Sequence, residues 1–489
     1  MKKIIKYSWS LLLTTFLLLG CEDILDVTPP GEFAPGNVLQ NEAGLTALLY
    51  SAYEFSNYSN GPMKDIINMT EVCTDMAFNT GGGENRTLSL LINFTWDPSV
   101  DWFRSDFWTQ PYNAIRDVNI VLESLESADI SDAIRRQFQA EARFIRAMEY
   151  ADLYNWFGTV PLRTSSEQPA ELARASEAEM LDFIESELEA VIPDLPMPGE
   201  EPQYGRAHKG AALGVLTKFL LNTKQWQKTA DAAQRLIALN YYELYPVYRE
   251  LFRVENEGNR EMIFVHPALN EQPYGCLFPN GAYPPGFKSS PKIPEFTWTS
   301  AMANWATQYR LRDEFVDSFD RSDARFELII EEYENQGGNM VNLRSQVDNA
   351  RSLKYFDNNQ TANFSGNDYP RIRYSDILLS RAEALNELNG PTQEALDLIN
   401  QVRERAGVAA LTTTEASSKD AFRDLILQER GWEFVSEAKR REDLIRHGKF
   451  ISLAQARGVN AQPYHVLFPI PEAEIVANPA VEQNPGYSN

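Results

Sequence analysis

Apolar residues recur at helical spacing along much of the chain. Between Ser131, a good N-cap residue, and the helix-ending Gly158, they follow one another at intervals of three or four positions. The residues concerned are Ile134, Phe138, Ala142, Ile145 and Met148. Apolar positions with this period share one face of a helix, and that face is normally buried. The pattern therefore predicts one long amphipathic helix from Ser131 to Gly158.

Two further stretches repeat the plan of a helix, a break and a second helix. The first covers about 207–239, and the second covers 375–406 with its break at 390–391. Paired helices of roughly 34 residues with small alanines at their contacts resemble tetratricopeptide repeats. One more helix is predicted over 420–447. The chain is therefore predicted to be mostly α-helical.

Two other stretches, about 57–105 and 241–370, lack this periodicity. They are rich in Pro, Gly, Asn and aromatic residues, and we predict large irregular insertions with a few short strands. Aromatic residues occupy 12 of the 63 positions in 50–112 and 11 of the 56 in 264–319, against 11% of the whole chain. Long structured insertions in a compact domain usually carry function. We therefore expect a ligand site in these two stretches.

The amino terminus has the layout of a secretory signal. Three lysines precede an apolar run over 11–19, which is too short to span a bilayer as a helix. Gly20 then stands directly before Cys21, and this arrangement is similar to the bacterial lipobox, in which the cysteine thiol is diacylglycerylated. We predict a signal peptide over 1–20, a tether lipidated at Cys21 over 21–36, and a single folded domain over 37–489.

Charge and cysteine content restrict the function further. The chain carries 45 Lys and Arg against 69 Asp and Glu, a net charge of -24, so we predict no nucleic-acid partner. The sequence contains no CxxC pair and its four histidines are scattered, so we predict no metal centre and no cofactor. Structural calcium remains an open alternative for an acidic exported chain. Cys73 and Cys276 either form a disulfide or, as we favour, remain two separate buried thiols.

Seven blocks in order along the mature chain resemble the SusD/RagB family, outer-membrane lipoproteins of Bacteroidetes nutrient uptake systems. The blocks are YNAIRDVN (112–119), ARFIRAMEYADLYNWFGTVPL (142–162), GRAHKGAALGVLTKFLL (205–221), YPRIRYSDILLSRAEALNELNG (369–390), INQVRERAG (399–407), ERGWEFVSEAKRREDLIRHGKF (429–450) and FPIPEAEIVANP with QNPGY (468–487). Glu442 and His447 depart from the family pattern, because aromatic residues usually stand at these two positions.

The resemblance implies a SusD-like fold of tetratricopeptide-like hairpins. It also implies a protein that is anchored in the outer membrane, faces the cell surface and captures a nutrient, most often an oligosaccharide. The captured ligand would pass to a SusC-like TonB-dependent transporter. Capture of a peptide or another nutrient and a role as a non-catalytic interaction scaffold remain alternatives. A glycoside hydrolase, which needs only a suitably spaced pair of carboxyl groups, is the least favoured of them.

Sugar rings stack their C–H faces on exposed aromatic side chains, and their hydroxyls bond to polar side chains. The candidate ligand residues are therefore aromatic and polar side chains in the two insertions. In the first insertion they are Trp96, Asp75, Asn79 and Arg86, and in the second they are Tyr283, Trp298, Trp305 and Gln308.

Charged residues in the carboxyl-terminal blocks are interpreted as scaffold. Those within 371–383 and 429–443 recur at spacings that suit ion pairs between neighbouring helical turns. A charge at a helix-packing face needs a partner, because an isolated buried charge is very costly. The alternative is that part of this charge faces a partner protein.

Overall fold

A computed structural model of the protein describes residues 39–57, 61–79, 81–306 and 309–488, with side chains for all of these except 61–63. The predicted signal peptide, the tether with Cys21, and Gln308 lie outside the described residues. No helix in the described ranges is both long and apolar enough to cross a membrane.

Helices dominate the amino-terminal half and the carboxyl-terminal third. In chain order they are α1 Glu42–Phe55, α2 Gly61–Glu71, α3 Asn85–Asn93, α4 Asp101–Arg104, α5 Gln110–Ser124, α6 Asp132–Phe157, α7 Glu177–Val191, α8 Lys209–Asn222, α9 Trp226–Ile237, α10 Phe278–Ala282, α11 Asp313–Asp317, α12 Tyr374–Asn389, α13 Gln393–Arg405, α14 Lys419–Glu433, α15 Arg440–Arg446, α16 Phe450–Ala456 and α17 Glu472–Ala477.

Strands are short and lie mostly between α9 and α12. They are β1 Ala77–Phe78, β2 Met262–His266, β3 Phe287–Ser290, β4 Ile293–Thr297, β5 Arg310–Leu311, β6 Ile329–Ile330, β7 Glu332–Asn335, β8 Met340–Asn342, β9 Arg351–Ser352 and β10 Tyr369–Arg373. One sheet has the order β4-β3-β7-β8, and the other strands form antiparallel pairs. This arrangement confirms a mostly irregular insertion between the second and third helix units.

The helices of the body are confirmed. Helix α6 begins after Ser131, whose side chain accepts the Ile134 backbone N–H at 3.3 Å, and it ends at Gly158 with a φ of 73°. The two predicted hairpins are α8 with α9 and α12 with α13, and Gly390 ends α12 with a φ of 76°. A left-handed backbone of this kind suits glycine, which has no Cβ.

Successive helices cover one another in a continuous stack. Helix α1 packs on α5, α5 on α6, α6 on α7, α7 on α8 and α8 on α9, and α9 then packs on α12. Helix α12 is covered in turn by α13 and α14. Each helix thus buries the apolar face of its neighbour, as stacked helix hairpins do. The strands β2 and β10 pair with each other where the chain leaves this stack and where it returns.

The prediction that 57–105 is irregular is wrong, because this stretch contains the helices α2, α3 and α4. Every described side chain of α2 from Lys64 to Glu71 is buried. A helix that is buried all round lacks the one-sided apolar stripe by which a surface helix reveals itself. The three elements are also short, which weakens any periodic signal.

The prediction of one helix over 420–447 is wrong as well. Helix α14 ends at Glu433, and α15 begins only at Arg440. Between them, Ser436 and Ala438 have φ angles of 62° and 63°, which residues other than glycine adopt at a cost.

The Glu71 carboxylate, at the end of α2, holds this break in place. It accepts the backbone N–H groups of Ser436, Glu437 and Ala438 at 3.2, 3.0 and 2.9 Å, and it also accepts the hydroxyl of Tyr309. Burial raises the pKa of Glu71 to about 7, although these hydrogen bonds oppose the rise. A partner more than 350 residues away in the chain therefore decides where the last long helix stops.

A buried ion-pair cluster joins the insertion to the helical body. Arg373 donates from Nε and Nη2 to the Glu437 carboxylate, both at 2.8 Å, and its Nη1 lies 3.0 Å from Glu433 Oε1 and also bonds to Glu261. The remaining members of this cluster are Asp323, Arg325, Lys354, Arg403, Arg405 and Glu429. The interpretation of these charges as scaffold is confirmed, but the partners come mostly from other elements and not from adjacent helical turns.

Replacing Arg373 should unfold the protein far more easily than replacing an exposed arginine. Arg373→Met leaves Glu437, Glu433 and Glu261 without their shared cation, so we expect a loss of about 3–5 kcal/mol in the free energy of unfolding. Arg235→Met is the control, because the Arg235–Glu189 pair is nearly half exposed and should contribute below about 1 kcal/mol. Urea denaturation followed by circular dichroism measures both, and equal losses in the two variants would contradict this account.

Candidate ligand-binding site

The fold brings the two aromatic-rich stretches together. Strand β1 pairs with β5, so that Ala77 lies opposite Leu311 and Phe78 lies opposite Arg310. The Tyr309 hydroxyl donates to the Glu71 carboxylate beside this pairing. Residues more than 200 positions apart in the sequence are therefore neighbours in the fold.

Two half-buried tryptophans, one from each stretch, lie around a single ammonium group. Lys64 Nζ lies 5.9 Å from the ring centroid of Trp102 and 5.3 Å from that of Trp305. Within the described part of the chain, neither indole N–H has a hydrogen-bond acceptor. The two rings thus keep part of their faces and both N–H donors available for a ligand.

Carboxyl groups surround Lys64 and complete the polar part of the site. The ammonium group bonds to Glu84 and lies 3.1 Å from Asp65 Oδ1. Burial by itself lowers the pKa of Lys64, but the charges of Asp65 and Glu84 reverse this effect, and the net shift is upward. Burial raises the pKa of Asp65 and, to a lesser degree, that of Asp106. The site therefore offers one fixed cation and carboxyl groups that hold a proton more readily than exposed ones.

Trp96 does not belong to this surface, and the prediction that it stacks on a ligand is wrong. The side chain is 3% exposed, and its Nε1 donates to the Tyr487 hydroxyl at 2.8 Å. Its ring packs on Phe94, His465 and Phe468, with centroids 4.8, 4.8 and 5.7 Å away. Trp96 is a core residue that fixes the carboxyl-terminal segment against the start of the domain.

Asp75 and Asn79 also serve the scaffold, contrary to their prediction as ligand residues. Both oxygens of Asp75 accept from Arg440, at 2.8 and 2.7 Å. Burial raises the pKa of Asp75, but the charge and hydrogen bonds of Arg440 and the charge of Arg457 together reverse this effect, and the net shift is downward. Asn79 is 3% exposed and accepts the Gly81 backbone N–H at 2.7 Å. Arg86 is exposed two residues after Glu84, and it stays a candidate.

The second set of candidates divides in the same way. Tyr283 is fully buried, stacks on Phe287 and donates to Gln360 at 3.0 Å, so the structure contradicts its role as a ligand residue. Trp298 is half-buried and donates from Nε1 to the Ala303 carbonyl at 3.3 Å. Trp298 and Trp305 remain predictions, and Gln308 lies outside the described residues.

Lys64 and Trp102 escaped the sequence analysis. Trp102 stands within the aromatic-rich first stretch, in the short helix α4, so the same enrichment that drew attention to Trp96 also included it. Nothing in the local sequence distinguishes a half-buried tryptophan from a fully buried one in such a stretch. Lys64 could be found only through its long-range contact with Trp305.

Cys73 and Cys276 are both buried thiols that are not joined by a disulfide, as favoured above. Burial raises the pKa of Cys73 to about 11, so this side chain stays protonated. Among the described residues, no three His, Cys, Asp or Glu side chains converge as they would around a metal ion.

The helical stack and the long insertion between its helix units define the class of fold, and comparison with known proteins identifies the family. A model described as the SusD family matches residues 294–487, and one described as "Starch-binding associating with outer membrane" matches residues 23–221. The two models together cover most of the chain, which is accordingly assigned to the SusD/RagB family.

Curated relatives match along most of their length. A SusD-like protein of Formosa agariphila is 28% identical, with 97% of each chain covered. The starch-binding protein SusD of Bacteroides thetaiotaomicron is 24% identical over 83% of this chain and 82% of its own. Both matches support the assignment of the whole chain to the one family.

Solved structures confirm the fold. A laminarin-binding SusD-like protein has a TM-score of 0.74 at 24% identity, with 92% of this chain and all of that chain covered. Surface glycan-binding protein A from Bacteroides uniformis has a TM-score of 0.76 at 23% identity, with 90% of this chain and 98% of that chain covered.

The different burial of Trp96 and Trp102 can be tested through stability. Trp96→Ala removes a fully packed ring and its hydrogen bond to Tyr487, so we expect a loss of about 3–5 kcal/mol in the free energy of unfolding. Trp102→Ala removes a half-buried ring and should cost less than half as much. Equilibrium urea denaturation of both variants decides this, and a Trp96→Ala variant as stable as Trp102→Ala would return Trp96 to the list of surface residues.

Proposed function

We propose that this protein captures a glycan at the cell surface through the surface formed by Trp102, Trp305 and Lys64. One observation carries the proposal: two tryptophans from distant parts of the chain keep partly exposed rings around one ammonium group. A protein core has no need of this arrangement, since indole rings and their N–H donors are normally packed and paired when they serve only stability. A ligand that combines flat apolar faces with hydroxyl groups would use all of these groups.

An oligosaccharide has that combination. The C–H face of a pyranose ring can stack on an indole ring, while its hydroxyls bond to charged and amide side chains at the rim. Lys64 would supply a donor between the rings, the nearby Asp106 carboxyl would supply an acceptor, and the exposed Arg86 would extend the polar edge. Two stacking surfaces favour a ligand with more than one sugar unit over a monosaccharide.

The relatives support the same class of ligand. One family model and one curated relative are described as starch-binding, and a solved structure of the same fold is described as laminarin-binding. These two glucose polymers differ in linkage and shape. We therefore propose glycan capture as the function and leave the linkage to a binding screen.

Delivery to a membrane transporter completes the proposal. The lipobox-like sequence before Cys21 supports attachment to the outer membrane, and one matching family model is described as associating with that membrane. We propose that the lipid anchor holds the folded domain at the cell surface beside a SusC-like TonB-dependent transporter, which takes up the captured glycan.

Alanine substitutions at the two tryptophans test the ligand site. We expect Trp102→Ala and Trp305→Ala each to weaken glycan binding by about tenfold or more, because each removes one stacking surface. The measurements are affinity electrophoresis against a panel of polysaccharides that includes starch and laminarin, followed by calorimetry with the oligosaccharide that binds. Trp226→Ala is the matched control, since Trp226 is also half-buried but begins α9 in the helical body.

Two results would reject the site. One is unchanged glycan retention by both folded variants, and the other is an equal loss in the Trp226→Ala control. Retention of a peptide by the wild-type protein, with no retention of any glycan, would instead favour the alternative nutrient class.

The anchor is tested separately from the ligand site. Cys21→Ser removes the only thiol that the lipobox would modify, so we expect the variant to leave the outer-membrane fraction and to lose incorporation of a labelled fatty acid. Binding of glycan by the released protein should be unchanged. A variant that still fractionates with the outer membrane and still carries label would contradict lipidation at Cys21.

A further inference from the structure

A separate cavity of about 430 Å³ lies inside the helical body. Its walls come from the end of α6, from α8, from β10, from α15 and from the carboxyl-terminal segment. Asn155 and Thr223 are half-buried lining residues, so the cavity opens to solvent. Its volume falls within the range of small-molecule sites in proteins. None of Trp102, Trp305 and Lys64 lines it, so it is distinct from the proposed glycan surface.

The lining is rich in basic side chains although the chain as a whole is strongly acidic. Five basic residues face three acidic ones, and the basic ones are Arg174, Lys218, Arg371, Lys439 and Arg441. Two of them are paired across the cavity wall. Lys218 Nζ lies 2.9 Å from Glu442 Oε1, and Arg371 Nη2 donates to Asp152 Oδ2 at 2.7 Å.

Lys439 and Arg441 have no such partner. No carboxylate in the described part of the chain lies within 4 Å of either cation. Lys439 Nζ donates one hydrogen bond, to the Arg371 carbonyl at 2.7 Å. Arg441 donates from Nη2 to the Val466 carbonyl at 2.7 Å, while its buried Nε has no acceptor. The two side chains are only 8% and 1% exposed.

Buried cations of this kind need an anion or a dense set of acceptors. Removing a charge from water has a large desolvation free energy, and hydrogen bonds to carbonyl oxygens alone offset only part of it. The Phe468 ring, 4.1 Å from the Arg441 guanidinium carbon, adds a further contribution. Arg174 donates hydrogen bonds to the carbonyls of Thr159 and Glu482 and to Asn484. The cations that lack sufficient acceptors are therefore Lys439 and Arg441.

We propose that this cavity binds a small organic carboxylate of about monosaccharide size. The carboxylate would lie against Lys439, with Arg441 supplying positive charge from behind. The rest of the molecule would occupy the space between the apolar side chains of Phe219 and Ile372 and the amides of Asn155 and Asn222. This mixed lining suits a compact ligand with both C–H faces and hydroxyls, such as a uronic acid.

The test compares glucuronate with glucose, which has nearly the same size but no charge. We expect glucuronate to bind the wild-type protein at least about tenfold more tightly than glucose, as measured by calorimetry at constant ionic strength. Lys439→Gln should weaken glucuronate binding by about tenfold or more while glycan binding at the Trp102 surface is kept. The double variant Trp102→Ala, Trp305→Ala should bind glucuronate as the wild type does.

A second variant covers the case in which Lys439→Gln fails to fold. Asn155→Trp fills the mouth of the cavity and leaves every basic lining residue in place, so it should also abolish glucuronate binding. The proposal is overturned if glucuronate and glucose bind alike or not at all, or if glucuronate binding survives in folded Asn155→Trp protein. It is equally overturned if the double tryptophan variant loses glucuronate binding, because the ligand would then sit at the glycan surface.

Discussion

The buried ion-pair cluster around Arg373 is the constraint on which the rest of the structure depends. Arg373 ends β10, the strand by which the chain re-enters the helical body, and its partners Glu433 and Glu437 lie at the end of α14 and just beyond it. Glu261, directly before the paired strand β2, bonds to the same guanidinium. Arg373 therefore holds together the two ends of a long insertion that has little regular structure of its own. Breaking one of these pairs would leave an uncompensated buried charge, so the cluster strongly favours this one arrangement.

A second set of buried contacts connects this cluster to the proposed glycan surface. Glu71 binds the three backbone N–H groups of 436–438, next to Glu437 of the cluster, and its other contact is the Tyr309 hydroxyl. Tyr309 directly precedes β5, and Glu71 ends α2, the helix that carries Lys64. The Glu71 carboxylate thus helps to fix the positions of both Lys64 and the chain around Trp305. A binding surface built on loops gains the precision of the core when its loops are tied in this way.

Apolar periodicity and helix-cap residues predicted those parts of the fold that are determined by interactions between neighbours in the sequence. Ser131 and Gly158 bound α6 as expected, because caps act within one turn of the helix. The break after Glu433 was missed, since its cause is Glu71, a residue distant in sequence. The burial of Trp96 was missed for the same reason, because it depends on His465, Phe468 and Tyr487 at the other end of the chain. Aromatic enrichment includes the residues of the proposed glycan surface, but which aromatic side chains are buried depends on contacts that no local pattern records.

Net charge is a poor guide to what the interior of this protein can bind. A charge of -24 governs the field outside the molecule, which salt screens within about 10 Å, and it disfavours the approach of a long polyanion. The inner cavity is lined by more basic than acidic residues, and two of its cations are held by carbonyl oxygens and not by carboxylates. At short range and low dielectric these few charges outweigh the distant acidic surface. An acidic exterior and a cation-lined interior therefore coexist in one chain, because each acts over a different distance.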